Sequence, residues 1–433
     1  MIRFLAIFLL LPALLHAQVL QGDARKLTAD VSGTTVTCAA ANFTAGDIGK
    51  TIWAIETGSG LARLPRTTIT NVLSGTQATT ALPATSSYTN LTLIYGSDDT
   101  AALQALTSAA RTQQPRGVVT IPAGGYVFSA LPFDCAESSV HAGLGVIGAG
   151  SGRSVFYPAP DYDWNSTAAN EGLFWKTNAN TRDALLQGVS VDGCSMSLPG
   201  SGYHVISDAG DGTTMRDVHV KQVRGITSHV HLVSTRFRGV RLWSEGSSYI
   251  GLSCSGGSYL FQDCYTGNHA YYGLHVTAIN GASNTGVCFR WNNGIVDECG
   301  SIACEVNGSS DVVFAGARMF GGVNGWACEV TGGSDVRFIG CELLGYGGQG
   351  PNRGGLSVGT GCVAKLTACV LDGFNGGEAL SNAGLVLDGL NNTFSSRSGN
   401  APLTILNVAT LPSADPGVSG AVWNNNGVLN ISP

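Results

Sequence analysis

Charge is scarce in this chain. Lys, Arg, Asp and Glu make up 12% of its 433 residues, about half the share of an average globular protein. With 23 Lys plus Arg against 29 Asp plus Glu, the net charge is −6, so the basic face or tail of a nucleic-acid binder is missing. Proline is rare, at 14 residues, and no Gly-X-Y period accompanies the glycines, which excludes collagen. Beyond the N-terminus no apolar run approaches the ~18 residues of a membrane span. The 12 cysteines are too sparse for a disulfide framework, and no CxxC or His/Cys cluster has zinc-ligand spacing. Metal binding through cysteine is therefore not expected. What the chain has in excess is glycine, 60 residues, beside an apolar fraction of 44% that is ample for a core.

The N-terminus reads MIRFLAIFLLLPALLHAQ. Arg3 precedes an apolar run from Phe4 to Leu15, and small-residue cleavage is offered after Ala17. That run is too short to span a bilayer and fits a secretory signal over residues 1–17, with an uncleaved anchor as the alternative. Export would also suit the cysteines, since disulfides persist in oxidising compartments.

Residues 230–400 repeat. Apolar residues recur at Phe237, Phe261, Phe289, Phe314, Phe338, Leu366 and Phe394, and a second column runs through Cys304, Cys328, Leu356 and Leu385. The texts ACEVNGSSDVVFAGARMFGG, ACEVTGGSDVRFIGCELLGY and GLSVGTGCVAKLTACVLDGF align. Within a rung the period is 2: Ile302, Cys304 and Val306 share one face and Ala303 and Glu305 the other, while Val312 and Phe314 point in and Val313 out. Short alternating runs between Gly, Ser and Asn are strands. A repeat of 24 to 28 residues built this way predicts a solenoid whose rungs stack about 4.8 Å apart. Glycine then serves the corners, where φ is positive.

From Gly96 the text GSDDTAALQALTSAARTQQPRGVVTIPAGGYVFS resembles the entry segment of the pectate-lyase-like superfamily. Asp98 or Asp99 caps a helix of about residues 100–111, with Ala102, Leu103, Leu106 and Ala110 on its buried face, and the helix closes the open solenoid end. With the repeat, the resemblance covers residues 96–400. It implies an all-β, single-stranded right-handed parallel β-helix with a capping helix, and a carbohydrate-related role. Residues 18–95, with their Thr/Val/Ile alternation, predict a small N-terminal β module like those preceding β-helices in bacteriophage tail proteins and bacterial exoproteins. Within the C-terminal extension, 401–433, the text LPSADPGVSGAVWNNNGVLNIS (411–432) resembles a short element of phage structural proteins. No cofactor is expected from the residues; a homotrimer, a virion location as the alternative to secretion, and Ca²⁺ are options that these resemblances alone imply. The Asp-Asp, Gly-His-Gly and Arg-x-Lys set of polygalacturonases is absent, as is a pectate-lyase-like set of calcium-binding aspartates.

The candidate chemistry lies on the outer faces of the middle rungs, about His229 to Asp297. Flanking the phenylalanine column are Arg236, Arg238 and Arg290, with Arg337 and Lys365 beyond; they suit uronates or pair with carboxylates such as Glu245 and Asp263. Tyr271, Tyr272 and Trp291 offer rings for sugar faces, or pack in the rungs. Paired carboxylates for glycoside cleavage are Glu245 with Asp263, Asp297 with Glu298, and Glu305 over Glu329, where like charges would raise one pKa. His231, sharing a strand face with His229, is a candidate base for a lyase. Catalytic candidates are thus Glu245, Asp263, His231 and Asp297. The expected partner is a polysaccharide or cell-surface glycan, which the protein would bind and cleave as lyase or hydrolase, or only recognise as an adhesin or tail component. Cys304 over Cys328 and Cys341 beside Cys369 stand at disulfide range or as reduced core ladders.

Overall fold

A computed structural model describes residues 19–433 apart from 114–116, 163–171, 198–202, 235, 247, 278–287, 298, 310, 323–324, 346–353, 374–377, 390, 396–404, 408–413, 415–421, 426–427 and 432–433. The proposed leader, residues 1–17, and much of the C-terminal extension lie outside the described residues. The N-terminal module is a closed six-stranded antiparallel barrel between Arg25 and Gly96. Its own core gathers Val31, Val36, Ile52, Leu64, Ile69 and Leu93, the inward half of the alternation seen in the sequence.

The helix Thr100–Thr112 follows. Asp98 Oδ1 accepts the amide of Thr100 at 3.0 Å, while the Asp99 side chain caps nothing and instead accepts the amide of Gln21 at 2.7 Å. Ala102, Leu103, Thr107 and Ala110 are buried. Leu106, expected on that face, is 38% exposed, because the buried stripe passes through Thr107, whose hydroxyl donates to the Leu103 carbonyl at 2.8 Å. Gly125 of the PAGGY text bridges to Asp23; a Cβ there would stand 2.1 Å from the Ala24 carbonyl oxygen.

From here the chain is a parallel β-solenoid. A long 22-stranded sheet and a ten-stranded sheet run along it, with rung pairing to rung in parallel register. Val312, Phe314 and Phe338 are fully buried. Aromatic rings stack along the axis, with centroids 5.6 Å apart for Phe289–Phe314 and 5.4 Å for Phe314–Phe338, the geometry in which aromatic pairs gain beyond their area. The inward column, however, is two ladders. Phe237, Tyr259, Phe289 and Val312 form one; Gly239, Phe261, Trp291, Phe314 and Phe338 form the other. At the last rung Leu380, not Leu385, continues the Cys304–Cys328–Leu356 column, and Phe394 pairs with Leu371 instead of following Leu366. Unequal loop lengths slip the spacing while strand pairing holds the register.

The Asp208 carboxylate lies inside the solenoid. Asp208 is wholly buried, accepts hydroxyl bonds from Thr177 at 2.6 Å, Thr213 at 2.9 Å and Ser234, and has its pKa raised by burial. The hydroxyls supply the hydrogen bonds that a buried carboxylate requires.

Candidate functional site

Strands of the ten-stranded sheet carry Leu274-His275-Val276, Cys304-Glu305-Val306 and Cys328-Glu329-Val330 in direct register. The flanking apolar residues point into the core, where Leu274, Val276, Cys304, Val306, Cys328 and Val330 are all fully buried. Strand alternation therefore sends His275, Glu305 and Glu329 to the outer face. The same file continues through His231 and Ser253 on one side and Ser357 on the other.

Electrostatics differentiate the two glutamates. His275 Nε2 lies 3.2 Å from Glu305 Oε2, and the Asn307 amide and Thr331 hydroxyl donate to Glu305 Oε1 at 3.4 and 3.5 Å. Burial alone would raise the Glu305 carboxyl, but His275, Tyr272 and Asn307 outweigh it and hold the pKa below its usual value. Glu329, one rung on, goes the other way: burial, then the charge of Glu305, raises its pKa. The two neighbouring carboxyls are thus shifted in opposite directions, Glu305 down and Glu329 up.

Aromatic rings wall one side of this file. Tyr272 lies parallel to the His275 imidazole, centroids 5.0 Å apart at 7°, and Tyr271 meets Tyr272 edge-on at 4.3 Å. Tyr249 stacks on Tyr271 at 4.8 Å and 5° and is 49% exposed. Burial, then Glu305, pushes the Tyr272 phenol up, so it stays a donor.

Of the sequence candidates, the structure brings His231, Tyr271 and Tyr272 to this face. His231 lies two rungs from His275 and stacks on His204 at 4.2 Å; burial lowers its pKa. His229 does not share its exposure. It is fully buried, with Nδ1 3.1 Å from the Ser244 hydroxyl and Nε2 3.1 Å from the Val223 carbonyl. Trp291 is not a platform for sugar: it is fully buried, because its register places it between Phe261 and Phe314 in the inward ladder. Glu245 and Asp263 do not pair. Glu245 is in register with Gly267, while Asp263 occupies a left-handed corner at φ 54° four residues earlier. Asp297 also pairs with Gly267, on the long sheet, so Glu245 and Asp297 stand two rungs apart there; Glu298 lies outside the described residues.

The arginines sit on the long sheet. Arg236 makes a forked ion pair with Asp211 at 2.7 and 3.1 Å, and Arg290 pairs with Asp311 at 2.9 Å. Arg238 is exposed and has no ion-pair partner among the described residues. The described cysteines are buried free thiols. Among the described residues no group of three or more His, Cys, Asp or Glu is placed to hold a metal ion, and no helix is long and apolar enough to cross a membrane.

His275 is the residue that sequence reasoning passed over. Its signal is the alignment of LHV with the two CEV texts, which the irregular step between Leu274 and Cys304 conceals.

No family model and no curated protein matches this chain. Similar solved structures include the A-module of a mannuronan C-5 epimerase from Azotobacter vinelandii, with a TM-score of 0.40 and 15% identity over 69% of this chain and 91% of that one. The catalytic domain of a GH87 alpha-1,3-glucanase has a TM-score of 0.45 and 12% identity, covering 85% and 80%. Tailspike protein 2 of bacteriophage CBA120 has a TM-score of 0.43 and 11% identity, covering 83% and 55%.

Proposed function

We propose that this protein binds a polysaccharide along the outer face of the ten-stranded sheet and cleaves it at the His275–Glu305–Glu329 file. The observation that carries this reading is the pair of glutamates in direct register on consecutive rungs, pKa values driven apart. A rung step of about 4.8 Å is close to the ~5 Å separation of two carboxyls that act as acid and nucleophile in retaining glycoside cleavage. Glu329, the carboxyl with the raised pKa, serves as the acid toward the leaving oxygen, and Glu305, the one with the lowered pKa, faces the sugar carbon. His275 holds Glu305 in place, and the tyrosine wall receives the apolar face of a neighbouring sugar. The leader-like N-terminus supports a site of action outside the cell, and the phage-like termini support a virion as the other setting.

The test uses the purified full chain with a panel of acidic and neutral polysaccharides, following reducing ends and the ultraviolet absorbance of unsaturated uronates. Reducing ends alone are expected, and Glu329→Gln slows their release roughly a hundred- to ten-thousand-fold. Unsaturated product would instead make His275 the base of a lyase. Binding without any product would leave a glycan-recognition protein and remove the catalytic roles of both glutamates.

A further inference from the structure

The long sheet carries a second organised outer file. Strand register places Arg238, Leu260, Arg290, Val313, Arg337 and Lys365 directly one above the next. A cation therefore stands at every second rung from Arg238 to Arg337, roughly 10 Å apart for a rung step of about 4.8 Å. Between them are aliphatic side chains, of which Leu260 is 38% exposed. Arg290 is oriented by Asp311 at 2.9 Å and Lys365 by Asp335 at 2.9 Å. Arg238 and Arg337 are exposed and without an ion-pair partner among the described residues.

Four cations less two carboxylates leave a charge of +2 along six rungs. That file is about 24 Å long. A nucleic-acid strand carries a charge every ~3.4 Å, about seven over the same length, and its phosphates would meet Asp311 and Asp335. A polymer with sparse charge and apolar faces between charges fits better. We propose that this file binds an acidic polysaccharide bearing carboxylates on alternate sugars, with Arg238 and Arg337 forking onto carboxylates and Leu260 and Val313 against the intervening rings. This surface is on a different sheet from Glu305 and Glu329 and does not rest on the catalytic reading.

Binding of the full chain to three probes tests it: hyaluronan, which carries one carboxylate per disaccharide; neutral dextran; and poly-dT. Hyaluronan is expected to bind, more tightly than either of the others, with affinity falling as salt rises. The double variant Arg238→Ala/Arg337→Ala weakens that binding at least tenfold, and the double Lys variant falls between, because an ammonium cannot fork. Reducing-end release by the parent is followed separately from hyaluronan binding, so the failure of one site is distinguishable from that of the other. Absence of hyaluronan binding, tighter binding of poly-dT, equal binding of dextran, or a double alanine variant that binds like the parent would each overturn the proposal.

Discussion

Replacing Ala368 with glycine is expected to stabilise this protein. One corner of the solenoid is built by a file of residues with positive φ on successive rungs: Asp217, Arg241, Asp263, Asn293, Gly316, Gly340 and Ala368, at φ between 50° and 61°. Asp217 and Arg241 lie within single strands, and from Asp263 onward each turns the chain between two strands of the long sheet; the amides of Asp263, Asn293, Gly316 and Gly340 donate to the next rung at 2.8–3.0 Å. Most members are Gly, Asn or Asp, which tolerate this region; alanine does not, and holding it there costs about 1–2 kcal/mol. Glycine frees that strain but loses roughly 0.4–1 kcal/mol through a more flexible unfolded chain. Ala368 is exposed, so no packing is lost. The net gain is on the order of 0.5–1 kcal/mol. The converse is Gly340→Ala, where an added Cβ meets nothing within 4 Å and the same terms act with opposite sign. Urea unfolding of the two variants, with unchanged slope, should give midpoints displaced in opposite directions. If Ala368→Gly instead destabilises by about 1 kcal/mol, as glycine does within a regular strand, the left-handed corner is wrong.

Two further outcomes separate core from surface and set the acid limit. Trp291→Ala should cost about 3–5 kcal/mol as a large core truncation, whereas Tyr271→Ala, outside the core, should leave the urea midpoint near the parent while weakening polysaccharide binding several-fold; equal effects on stability would contradict the placement of both rings. His269, buried beside Ser244 and Ser248, has its pKa lowered by burial to about 4 from 6.5. Its contribution is therefore present above pH 6.5 and lost as pH falls to about 4, at about 1 kcal/mol per unit. Unfolding midpoints of the parent and His269→Gln compared across pH 6.5 to 4.5 should show a shallower loss in the variant; parallel curves would show that His269 is not buried neutral.

The sequence alone determined the rung. Period-2 alternation around Cys304, Val306, Val312 and Phe314 and the glycine-rich corners reflect local sterics and burial, which neighbouring residues decide. The stacking of Glu305 over Glu329 was legible too, because their rungs have matching texts. Which residues share a file elsewhere was decided only by tertiary structure. Loops of unequal length intervene, so that Trp291 falls between Phe261 and Phe314 in the core, while Arg238, Arg290 and Arg337 align outside it. His275 meets Glu305 across an insertion that no fixed spacing reveals. The physical reason is that interstrand hydrogen bonds and inward packing select the register, and an outward side chain inherits its neighbours from that choice, with no pattern of its own to announce them.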